Sequence, residues 1–176
     1  IGYCISGLIA VEIARRLMER GLEIFDLVLI DSHPIQYQLE DELLMEITFL
    51  PSLGIEISQL GLGEISNEEL YKAVLYLYNE FKKEIPSRSI QYLPDEYINL
   101  KKILLKLDCM EKRQRFELYS KMALEKAENQ FPVDMCIDLF AAYKQSFKAA
   151  QFVPEVYAGN IRFLLVEEST SFIPDN

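Results

Sequence analysis

The chain has 176 residues, 50% of them hydrophobic and 26% charged, enough for one domain with a proper core. A formal charge of −10, with no basic cluster free of acidic neighbours, argues against a nucleic-acid partner. No apolar run approaches about 18 residues, so no membrane span is expected. The three scattered cysteines (Cys4, Cys109, Cys136) fit a reducing cytoplasm better than a disulfide framework or a zinc site.

The chain opens Ile1-Gly2-Tyr3-Cys4-Ile5-Ser6-Gly7, small residues around a thiol, and passes directly into an amphipathic pattern. Leu8, Val11, Ala14 and Leu17 share one side, with Glu12, Arg15, Arg16, Glu19 and Arg20 opposite, which predicts a helix over 5–20 closed by Gly21. The almost continuously apolar run 24–30 then reads as a strand of a parallel sheet covered on both faces. It ends in Asp31-Ser32, and Pro34 breaks the chain.

From about residue 38 to 152 the periodicity is helical. Ser66 and Glu69 have capping-box spacing before Leu70, Val74, Leu77, Tyr78 and Phe81. Asp95, after Pro94, precedes a helical stretch through Leu107, and Asp108 with Glu111 heads another through about Asn129. Pro132 and Asp134 introduce a last helix, and 53–63 reads as a loop. Cys109 and Cys136 are expected on helices, packed as small hydrophobes. Most of the acidic excess is expected on solvated helix faces, and most of the ten Tyr and ten Phe inside the helical block. Gly159 precedes a second predicted strand at 160–167.

The fold class that follows is α/β, divided into an elbow, helix and strand over 1–37, a helical insertion over 38–152, and a return to the core over 153–176. Insertions at the carboxyl edge of such a sheet are where lids sit. The missing initiator Met and the start inside a motif give the expectation that residues precede Ile1.

A nucleophile elbow places G-x-nucleophile-x-G between a strand and a helix, in a strained conformation that tolerates only small residues two positions before and after. Centred on Cys4, Gly2 meets the first requirement, Ser6 fills the second imperfectly, and Gly7 follows. Centred on Ser6, the flanks are Cys4 and the bulky Leu8, so Cys4 is the better nucleophile. The helix N-terminus favours a thiolate there, and the backbone amide of Ile5 is a candidate oxyanion donor. In the hydrolase order the acid follows the nucleophile, which makes Asp31 the candidate acid. Each residue has a plainer reading: Cys4 as a small apolar residue at a strand end, Asp31 as a turn residue before Pro34. His33, the only His, is read as a partly exposed residue after the strand and not as the base.

Residues 2–14 and 29–34, together with Tyr157-Ala158-Gly159-Asn160-Ile161-Arg162-Phe163, resemble the thioesterase domains that end nonribosomal peptide and polyketide synthetases. The resemblance implies a partial α/β-hydrolase fold with a large helical lid. The implied activity is release of an acyl or peptidyl chain from a phosphopantetheine carrier domain, by hydrolysis or cyclisation, with no cofactor bound by the domain itself. It puts Cys4 in the nucleophile position, Asp31 in that of the acid and the Ile5 amide in half of the oxyanion hole. It also implies a His beyond the strand at 161–167 and a second oxyanion donor before the elbow. Neither lies in this sequence, so the fragment alone is expected not to complete a cycle. The alternatives are a free-standing editing thioesterase with the same site and, in another class, a non-enzymatic helical interaction module. Lys101, Lys102, Lys106, Lys112, Arg113 and Arg115 are a candidate surface for an acidic carrier domain.

Overall fold

The structure is a computed structural model that describes residues 1–60, 66–127 and 131–165. The chain is α/β. In chain order it forms β1 (Gly2–Tyr3), α1 (Ile5–Glu19), β2 (Leu27–Ile30), β3 (Gln38–Leu39), α2 (Glu42–Phe49), α3 (Asn67–Glu80), β4 (Glu84–Ile85), α4 (Ile98–Asp108), α5 (Lys112–Ala127), α6 (Val133–Ala150) and β5 (Ile161–Leu164), with four short 3-10 turns among the described residues between them. Residues 61–63 of the predicted loop, 128–129 of the predicted fifth helix and 166–176 of the return segment lie outside the described residues. No described helix is long and apolar enough to cross a membrane.

The contacts divide the chain into two compact units. Among the described residues one is Ile1–Gln36 with 145–165, and the other is built on Tyr37–Lys144. In the first, β1, β2 and β5 form a parallel sheet in the order β1-β2-β5. Helix α1 packs on it through Val11 and Ala14, which bury themselves against Leu27 and Leu29 with Ala10, Ile24 and Tyr157 around them. The helix ends as its sequence predicts. Gly21 takes φ 80°, its N–H reaches Met18 O at 2.9 Å, and the Leu22 N–H reaches Leu17 O at 3.1 Å, the paired bonds of a Schellman motif.

Two expectations for this sheet need correction. Only Leu27–Ile30 of the run 24–30 is a strand, because pairing with β5 begins at Leu27, opposite Ile161, and pairing with β1 only at Leu29, opposite Gly2; Phe25 is 89% exposed. Nor, among the described residues, is the sheet covered on both faces. Leu27 and Leu29 are buried, Val28 and Ile30 half-buried, and all four residues of β5 exposed.

The second unit has a core of its own. Five apolar side chains of α2 (Leu43, Leu44, Met45, Ile47 and Phe49) are buried, more than one stripe of a helix carries. Phe49 packs on Phe140 and Tyr143 at ring separations of 5.5 and 5.4 Å, and Phe116 packs on Phe140 and Tyr119, each at 5.4 Å. Ser66 caps α3, its Oγ accepting the Glu69 N–H at 3.1 Å. The fifth helix is capped differently from its prediction: Asp108 belongs to the end of α4, and the Gln114 side chain accepts the Glu111 N–H at 3.0 Å.

The block is also not helical throughout. Gln38 and Leu39 pair in parallel with Glu84 and Ile85, a two-residue sheet that no period of 2 could announce. Nor are all its acids solvated. Glu46 is fully buried and grips Arg115 through two bonds, Nε to Oε2 at 2.7 Å and Nη2 to Oε1 at 2.8 Å, while the Tyr119 hydroxyl adds a third at 3.3 Å. Asp41, also buried, accepts from the Leu44 N–H at 3.2 Å and from Ser89 N–H and Oγ at 2.7 and 2.9 Å.

Candidate active site

The junction of β1 and α1 is built from backbone strain and missing side chains. Cys4 stands between strand and helix with φ 50° and ψ −131°, a region that costs a non-glycine residue about 1–3 kcal/mol. Its N–H still pairs with Ile30 O at 2.9 Å, so the turn begins without losing the sheet. The Gly7 N–H closes the first turn onto the Cys4 carbonyl at 3.0 Å.

Tightness explains the glycines. A Cβ on Gly2 would overlap Gly7 Cα and lie 2.8 Å from Gly7 N, and a Cβ on Gly7 would overlap the Ser32 side chain. The glycine that faces Gly2 is therefore Gly7, three residues past Cys4. Ser6, the departure from the G-x-nucleophile-x-G pattern, points its hydroxyl at Tyr3, so that only its carbonyl oxygen, 3.0 Å from a Cβ on Gly2, enters this contact.

Asp31 is brought beside Cys4 by strand register. Tyr3 pairs with Ile30, so Cys4 and Asp31 are the next residues at the carboxyl ends of neighbouring parallel strands, which run about 4.8 Å apart. Asp31 also has positive φ, 47°, and its N–H is held by Leu164 O at 2.8 Å. Cys4 is exposed and Asp31 half-buried, and both sit where open α/β sheets present their ligand-binding edge. Ile5 begins α1, so its N–H is among the first four donors that a helix leaves without an internal partner. His33 lies exposed two residues past Asp31.

Ser32 escaped the sequence reading. It is buried, and its Oγ donates to Ile30 O at 2.9 Å while sitting against Gly7. It thus braces the loop that carries Asp31 against the first turn of α1. Its signal in the sequence was weak: one small polar residue directly after an apolar strand.

The other sulfurs separate cleanly. Cys136 is buried on α6, where desolvation pushes its thiol up. Cys109 contradicts its prediction: it is exposed and stands just past the end of α4, because that helix stops at Asp108. The basic residues of α4 and α5 are largely committed inside the second unit. Lys112 pairs with Glu42 at 2.7 Å, Arg113 with Asp134 at 2.9 Å and Arg115 with Glu46, while Lys101 donates to Gln91 O and Leu93 O. Lys102 and Lys106 are exposed. Among the described residues no cluster of His, Cys, Asp and Glu is arranged to hold a metal ion.

These features define an α/β chain with a strained thiol at a strand–helix junction and a carboxylate at the end of the adjacent strand. Compared with known proteins, 94 residues (53% of the chain) are 31% identical to pyochelin synthetase PchF of Pseudomonas aeruginosa, in each of two strains. The matched stretch is 5% of that synthetase, so the chain spans about a twentieth of the relatives it matches. No family model matches, and no solved structure does either.

Proposed function

We propose that this chain carries the nucleophile and acid of an α/β-hydrolase-type thioesterase working in nonribosomal peptide synthesis. In this reading residues 1–37 and 153–176 belong to the hydrolase core and 38–152 form its helical lid. One observation carries it: Cys4 holds a strained φ/ψ between strand and helix, with Asp31 at the same level on the next strand. The distant likeness to pyochelin synthetase supports a synthetase setting, in which the substrate is an acyl or peptidyl thioester on the phosphopantetheine of a carrier domain.

The Cys4 sulfur attacks the thioester carbonyl, the Ile5 N–H faces the developing oxyanion, and the pantetheine thiol leaves. Asp31 is placed to orient an imidazole that takes and returns the proton. The product is a cysteinyl thioester, nearly level in free energy with the incoming one, so loading is reversible. The acyl-enzyme stays activated for an internal amine or hydroxyl, which favours cyclisation over simple hydrolysis.

The test is to incubate the chain with a peptidyl thioester of N-acetylcysteamine and map the adduct by mass spectrometry. A substrate-sized mass on the Cys4 peptide, absent from Cys4→Ala, is expected. Equal labelling of exposed Cys109, or none at Cys4, refutes the reading. For the intact domain fed the same thioester, linear acid as the sole product removes the cyclisation preference.

A further inference from the structure

The departure at position 6 has a structural role. Because the Cys4 N–H points to β2, the alternation of a strand turns the N–H and C=O of Tyr3 the other way, away from β2. There one hydroxyl meets both: Ser6 Oγ accepts the Tyr3 N–H at 2.9 Å and donates to the Tyr3 carbonyl at 2.6 Å. The carbonyl it holds belongs to the peptide that leads into Cys4, so fixing that plane also fixes one side of the φ 50° turn. No side chain caps α1 at Cys4. The Ser6 hydroxyl, from the first turn of the helix, is therefore what ties helix to strand at this point.

We propose that Ser6 is the positioning residue of the elbow, clamping the Tyr3–Cys4 peptide so that the thiol is held at the N-terminus of α1. A glycine or alanine at position 6 satisfies the sterics of the turn and lacks the clamp, whereas threonine keeps the hydroxyl. The inference rests on Cys4 being the reactive group of the proposed site, and it deepens that reading by naming what orients the group.

The experiment measures alkylation of the whole 176-residue chain by iodoacetamide, peptide by peptide, and takes the rate at Cys4 relative to exposed Cys109. Ser6→Ala and Ser6→Gly are expected to lower this ratio about fivefold, the scale of one lost net hydrogen bond. Ser6→Thr should restore it, and the Cys109 rate should stay constant throughout. A wild-type ratio in either folded variant, or a Thr variant that behaves like Ala, overturns the proposal. Gly tests it independently should Ala unfold the elbow. The readout is the thiol itself, so the two readings fail separately. Cys4 that takes no acyl group but keeps the Ser6 dependence defeats the thioesterase reading alone. Cys4 that acylates and ignores position 6 defeats this one alone.

Discussion

Replacing Gly2 by alanine tests the elbow most directly. The new Cβ would lie 2.8 Å from Gly7 N and overlap Gly7 Cα, where ordinary contact begins near 3.4 Å. Gly7 must therefore retreat by at least about 0.6 Å at its nitrogen, and further at Cα. Neither obstacle is a flexible side-chain end: both are backbone atoms of the first turn of α1. The buried Ser32 side chain packs against Gly7 as well, so the turn has little room to adjust. Overpacking costs about 1–3 kcal/mol, and the absence of any yielding atom places this case near 3. A loss of about 3 kcal/mol lowers the melting temperature of a chain this size by roughly 6–12 °C. Thermal unfolding followed by circular dichroism measures it, and Gly54→Ala is the control. Gly54 has φ 72° with nothing within 4 Å of a Cβ, so it reports strain without collision and should cost about 1–2 kcal/mol. A Gly2→Ala chain as stable as wild type, or costing no more than Gly54→Ala, would refute the steric account of the turn.

Two further outcomes concern charge. Glu46→Ala leaves Arg115 buried without its counter-ion and takes an acceptor from Tyr119, so a loss of about 3–5 kcal/mol is expected in denaturant titration. Glu46 and Arg115 replaced together by leucine and methionine should recover most of it; a single substitution costing under 1 kcal/mol would show the pair to be solvated. Glu12 accepts from Arg15 and Arg16, and the Arg15 hydrogen bond leads the causes that hold its carboxyl at about 2, below the ordinary 4.5. A depressed carboxyl stabilises the fold above its ordinary range and loses that contribution as pH falls toward 2. NMR titration should find the midpoint near 2 and salt should raise it; a midpoint at 4.5 would dissolve the network.

The sequence disclosed the elbow because its demands are local. Small residues, a strand end and a helix start all fall within seven positions, and chain sterics act at that range. Cys4 over Ser6 followed from the bulk of Leu8 alone. What escaped depends on partners far along the chain. Glu46 looked like one more solvated acid until α2 buried it against Arg115, and the pairing of Leu39 with Ile85 leaves no periodic trace in two residues. The starts of β2 and α5 were misplaced for a related reason. Apolar content begins at Ile24, but the register with β5 starts only at Leu27, and Asp108, which has the spacing of a cap, is the last residue of α4, so that α5 starts at Lys112. Ser32 and Ser6 show the remaining gap: a single hydroxyl has no pattern, and its role emerges only from the carbonyl it finds.

The bond from Asp31 N–H to Leu164 O has a consequence in time. The acid's loop is anchored by a strand on the order of 130 residues later, and closing so long a loop carries an entropic cost that nearby contacts do not. During synthesis α1 and β2 emerge early, while β5 appears only after the whole helical block. Until then Asp31 lacks its anchor, and Cys4 stands beside an unfinished neighbour. Assembly of the pair is thereby deferred until β5 has been made, and a ribosome-bound chain stopped short of residue 161 should present a thiol without a settled carboxylate.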